Sequence, residues 1–132
     1  MATTGTYDQG GFRIQLANTG AAAADMASVL NPTGEAVIVT GAILNITTAS
    51  TGASTIDVGI GSSASTLYDN LIDGHSGATA GAFAEKGTNG KLVKLWPAAE
   101  YLTVSEASGD VAGLAGELIV TWISRTSAGA VS

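Results

Sequence analysis

The sequence predicts an all-β fold, a single-domain β-sandwich or jelly-roll-like barrel of about 7–8 short strands with little helix. Runs dense in β-branched residues recur, above all Glu35–Thr48 and Glu117–Ser124. Several runs alternate apolar and polar residues with the period of a half-buried strand. Clusters of Gly, Ser, Asn, Asp and Pro separate them at short intervals, supplying the turns such a fold needs.

Residues 1–11 are small, polar and glycine-rich, and read as a flexible arm. Phe12, Ile14 and Leu16 then alternate with Arg13, Gln15 and Ala17, which opens a β-sandwich domain over residues 12–125. Met26, Val29 and Leu30 stand at i, i+3 and i+4, the spacing of a short helical turn over 24–30. Asn31-Pro32-Thr33-Gly34 ends that element, because proline removes a donor and glycine accepts a left-handed turn. In Glu35–Thr48 the alternation changes phase near Gly41, where an interior glycine marks a bulge or bend. Ser54–Gly61 places Ile56, Val58 and Ile60 inward and Thr55, Asp57 and Gly59 outward.

Leu67–Ile72 fits either a short strand or an irregular loop. Residues 74–81 read as a glycine-rich loop, with Phe83 as its plug into the core. Asn89-Gly90 is a hairpin signal, followed by a strand over 91–96 that Pro97 breaks. Tyr101–Ser105 sets Leu102 and Val104 on one face. The last strand, Glu117–Ser124, has Leu118, Val120 and Trp122 on one face and Ile119 and Ile123 on the other. Two apolar faces imply a strand covered on both sides, as by a neighbouring subunit. Residues 126–132 form a polar tail.

Composition adds limits. A chain of 132 residues has room for one domain. Ala, Gly, Ser and Thr make up 69 of those residues, and 23 are alanine. Small side chains bury little area each, at roughly 25 cal/mol per Å², so a monomer has a thin core and association would add to it. The absence of cysteine excludes disulfides, thiolate metal sites and a cysteine nucleophile. With five basic residues and a net charge of −6, the chain lacks the cations that nucleic acid or an anionic membrane would require. Residues 1–20 show no basic stretch leading into an apolar run, and no segment approaches the roughly 20 apolar residues of a spanning helix. A soluble protein without a secretion signal is the expectation.

Candidate chemistry is sparse. His75, the single histidine, lies two residues from Asp73, and a general base usually works with an orienting carboxylate. Both fall in a Gly/Ser/Ala stretch with no nucleophile at a known spacing, so a solvated loop histidine is the reading adopted. Asp69-Asn70-Leu71-Ile72-Asp73-Gly74 gathers oxygen ligands suited to a hard cation, but it lacks the rhythm of a calcium loop and fits ordinary turn chemistry. Gly59-Ile60-Gly61 precedes no helix and cannot cradle phosphate. Asn45-Ile46-Thr47 fits a glycosylation acceptor only formally, inside a strand. Tyr7, Tyr68, Trp96, Tyr101 and Trp122 could line a sugar-binding face, though core or subunit-contact roles suit residues on strands better. No catalytic, cofactor-binding or metal-binding residue is expected, and no cofactor.

A family resemblance rests on the order of these peptides. Asn31-Pro32-Thr33-Gly34-Glu35 leads into Ala36-Val37-Ile38-Val39-Thr40, followed by Leu44-Asn45-Ile46-Thr47-Thr48 and by Thr51–Gly59. Asp69–Gly74, Gly87–Lys91, Tyr101–Val104 and Ala112–Gly116 come next, so the likeness spans Val29 to Ile123. Together they resemble the capsid decoration (cement) proteins of tailed bacteriophages. The resemblance implies a non-enzymatic virion protein, made in the host cytoplasm and seated on the outer surface of the capsid. It also implies a homotrimer at three-fold positions whose partner is the major capsid protein. Other phage modules (head fibre, tail tip or adhesin) and a carbohydrate-binding sandwich are the alternatives. Residues expected at capsid or subunit contacts are Tyr7 in the arm, Phe12, Arg13 and Ile14 in the stripe that follows it, and Trp96 and Trp122.

Overall fold

The computed structural model describes residues 9–16, 26–84, 86–91 and 93–124, and within them the chain is all-β, without helix. The strands are β1 (Gln9–Gln15), β2 (Ala27–Leu30), β3 (Val37–Thr48), β4 (Ser54–Gly61), β5 (Ile72–Ser76), β6 (Gly81–Phe83), β7 (Lys94–Trp96), β8 (Tyr101–Gly109) and β9 (Ala115–Ser124). Early strands pair antiparallel with late ones in reverse order: β1 with β9, β2 with β8, β3 with β6, β4 with β5. Successive pairs alternate between two sheets, β1-β9-β3-β6 and β2-β8-β4-β5. A long hairpin wrapped into two facing sheets has this order, and the fold is a jelly-roll sandwich. The short β7 is an addition, paired with Val37–Val39 of β3, and makes the first sheet five-stranded.

The two inner faces meet in one core. Val37, Val39, Leu44, Ile46, Leu118 and Val120 face Ile56, Val58, Ile60, Leu102 and Val104, all buried. The inward positions of β3 are odd-numbered before Gly41 and even-numbered after it. The pairing of β3 with β9 shifts register between Val39 and Gly41, and this bulge lets both halves of the strand face the core.

An aromatic cluster closes one end. Trp96 is fully buried, with Phe12 and Trp122 packed on it at centroid distances of 6.1 and 6.2 Å. Its indole Nε1–H donates to the Glu100 carbonyl at 2.9 Å. Asn31 ties the preceding turn to the same place, because its Nδ2 donates to the carbonyls of Glu35 at 2.8 Å and Trp96 at 3.0 Å. Its Oδ1 accepts from the Thr33 N–H at 2.9 Å.

Several expectations need correction. Residues 27–30 are strand, not a helical turn: Ala27 and Val29 pair with Val104 and Leu102, and Met26 enters the core. Cross-strand pairing outweighs a weak i, i+3, i+4 pattern of three residues. The first strand begins at Gln9, so Gln9–Gly11 pair with Ile123–Thr121 and are not arm; residues 1–8, with Tyr7, and the tail 126–132 lie outside the described residues. Of the loop expected over 74–81, Gly74–Ser76 belong to β5, which starts at Ile72 and pairs with β4. Asn89-Gly90 makes no hairpin. It turns the chain between β6 and β7, which both pair with β3 and not with each other.

Candidate functional site

The two sheets treat their outer faces differently. Outside the four-stranded sheet, residues 62–71 fold back as a lid. Gly59 and Gly61, on the outward side of β4, leave room for Tyr68, and a Cβ at Gly61 would come within 2.0 Å of the Tyr68 ring. The Tyr68 hydroxyl accepts from the Ser63 N–H at 3.1 Å, and Thr103 Oγ1 donates to the Thr66 carbonyl at 3.0 Å. Asn70 replaces a neighbouring strand at the edge of β4: its Oδ1 accepts from Ile60 N–H and its Nδ2 donates to Ile60 C=O, both at 2.8 Å. Asp57 and Gly59, expected to face solvent, are therefore buried. Glycines at alternate outward positions are the signal that something approaches closely.

Under the edge of this lid three carboxylates converge. Asp57, Asp69 and Asp73 each offer an oxygen within 4.8 Å of the others, and among the described residues this group could hold a hard cation. All three already accept hydrogen bonds. Gly74 N–H donates to Asp57 at 2.6 Å, Asn89 N–H to Asp73 at 3.0 Å, and Asn89 Nδ2 to Asp69 at 2.8 Å. The two Asn89 bonds tie Asp69 and Asp73 to the turn at Gly87–Gly90, and the Gly74 bond ties β5 to β4.

Burial pushes the Asp57 carboxyl above the usual carboxylate range. The Gly74 N–H pulls it back, while the charges of Asp73 and Asp69 push it further up. With the folded value raised, the native state holds the proton more tightly than the unfolded chain. Ionised Asp57 therefore costs stability at neutral pH, and that cost disappears as pH falls through the raised value toward the ordinary one. Asp57→Asn keeps the acceptor for Gly74 and turns a donor toward two carboxylates. The expected outcome is a higher Tm than the parent at neutral pH, with the difference shrinking on acidification. Thermal melts across the acid range check this; an advantage that grows in acid contradicts it.

His75 is not a solvated loop residue. It is 5% exposed on β5, paired with Ile56, and its ring lies 4.2 Å from that of Phe83. Phe83 thus plugs against His75, and removing the imidazole would open a hole under it. His75→Ala is therefore expected to lower the melting temperature, which thermal melts against the parent check. Asp73 likewise holds the Asn89 N–H and is not idle.

The expected contact residues divide. Trp96 is interior and presents no surface, which corrects its assignment as a contact. Phe12 and Ile14 are half-buried and pack inward, and Trp122 lies against Gly10, where a Cβ would meet its indole at 2.8 Å. The tryptophans are therefore no open stacking platform for sugar. Arg13 does face outward, 69% exposed, with Glu117 at 3.5 Å.

Outside the five-stranded sheet the described residues provide no lid. Register sets Leu95, Ile38 and Ile123 side by side across β7, β3 and β9, and Ile43, Ile119 and Arg13 across β3, β9 and β1. Leu95 and Ile123 are each 40% exposed and Ile43 37%. Thr40 and Thr121, 3.2 Å apart between hydroxyls, separate the two rows. The second apolar face of β9 was legible in the sequence; its extension over β3 and β7 needed the register. Comparison with protein-family models, with curated proteins and with solved structures finds no match for this chain.

Proposed function

We propose that the chain is a non-enzymatic virion structural protein, decorating and stabilising the outside of a bacteriophage capsid as a trimer at three-fold positions. The observation that carries this reading is the apolar outer face of the five-stranded sheet, in a molecule whose own loop covers β4 and β8 of the other sheet. Rows of exposed aliphatic side chains on one sheet face of a small domain suit a place where another protein sits. The jelly roll is an architecture used in viral capsids, as it is in lectins and cupins, so it supports the reading by analogy only. The net charge of −6 favours protein partners, the major capsid protein first, over nucleic acid or membrane.

The resemblance of Asn31–Thr40 and the peptides after it to phage decoration proteins supplies the identity of the shell. Phage head assembly places the protein on the outer surface of the virion after synthesis in the host cytoplasm. Its test is co-sedimentation with purified, undecorated heads. Saturable binding in a fixed ratio to the capsid protein, with greater resistance of the heads to disruption, is expected. Heads that sediment without it contradict the proposal.

A further inference from the structure

We infer that the outer face of the five-stranded sheet is covered by a second copy of this chain, with the Ile38 and Ile43 rows forming the subunit interface. This deepens the proposed function and rests on it for the number of copies. The occupant follows from charge. The chain carries −6, yet the described positions on this face hold one cation and one carboxylate, Arg13 and Glu117, already paired with each other. Asp57, Asp69 and Asp73 belong to the opposite sheet and its lid. Two identical acidic molecules that meet through the lid side bring like charges together, whereas the described positions of this face carry one balanced pair of opposite charges.

The face is also self-complementary. Each copy offers an exposed guanidinium at 69% and a carboxylate beside apolar rows, so Arg13 of one molecule can reach Glu117 of the next while isoleucines pack on isoleucines. Sheet faces pair well in this way, packing roughly 10 Å apart with interdigitated side chains. The polar Thr40–Thr121 step leaves two separate apolar rows.

Sedimentation velocity of the full chain at micromolar concentration tests this, with Ile123→Lys and Leu95→Glu as independent variants on different strands. Both positions are outward-facing, so far-ultraviolet circular dichroism should match the parent, and Leu30→Lys on the other sheet serves as control. The expected result is an oligomeric parent and control, with both interface variants monomeric and weakened in self-association by at least about a hundredfold, a loss of about 2.8 kcal/mol. A monomeric parent, or folded variants that assemble like the parent, overturns the inference. A parent dimer dispersed by both variants upholds the interface and removes the trimer from the proposed function. Heads that bind the parent and both variants equally, with assembly unchanged, uphold decoration and remove this interface.

Discussion

Replacing Trp96 with Ala is expected to remove about 3–5 kcal/mol of folding stability, the range for a large aromatic deleted from a packed core. Domains of this size are stable by only about 5–15 kcal/mol, so the variant should sit close to unfolding. The size of the effect follows from how many elements Trp96 joins. Its ring packs on Phe12 of β1 and Trp122 of β9, its backbone pairs with Val37 of β3, and its carbonyl accepts from Asn31 in the turn after β2. Its loss leaves the Glu100 carbonyl without the indole donor. Trp96→Phe keeps a ring but loses that hydrogen bond, and should fall well short of the alanine cost. Urea unfolding of the two variants gives the comparison. An alanine variant within about 1 kcal/mol of the parent would show that the cluster is not a keystone of the core.

The second large effect is expected at Gly61. A methyl group there would lie 2.0 Å from Tyr68 Cζ, with two further ring atoms within 2.5 Å, so Gly61→Ala must push the tyrosine off β4. Overpacking of this kind costs about 1–3 kcal/mol, and here the hydrogen bond from Ser63 N–H to the Tyr68 hydroxyl goes with it. The cause is specific to one pair, so it can be isolated. On a Tyr68→Ala background the same Gly61→Ala change should be nearly free, giving a coupling of at least about 1 kcal/mol between the two sites. Equal costs on both backgrounds would mean that the glycine serves the strand itself and not the lid.

The parts of the fold that were legible in the sequence are those where large β-branched residues alternate. Glu35–Thr48 and Glu117–Ser124 declared themselves strands, and the phase change at Gly41 marked the bulge. The parts that were not are built from small residues whose side chains carry no periodic signal. In β5 the sequence Ile72-Asp-Gly-His-Ser76 reads as a loop because glycine and serine hide the period, although pairing with β4 buries His75. Gly77 reads as loop freedom too, yet its bare Cα lets the chain pass Ser54, where a Cβ would lie 2.2 Å from the hydroxyl. At the candidate site, Asp69 and Asp73 were visible as a cluster, but Asp57 joined them only through the antiparallel register of β4 and β5. The apolar outer face was half visible, as Ile119 and Ile123, since a single strand cannot show which residues its neighbours set beside it.

In the proposed role this jelly roll is part of a shell, joined through the outer face of its five-stranded sheet. A cryo-electron microscopy reconstruction of the native phage particle tests it most directly. Sandwich-shaped density is expected on the outside of the capsid at three-fold positions, with the β3 and β9 faces of neighbouring copies turned toward one another and Ile38, Ile43 and Ile123 covered. Density for this chain inside the shell or on the tail, or a decorated head on which those faces look into solvent, would contradict it.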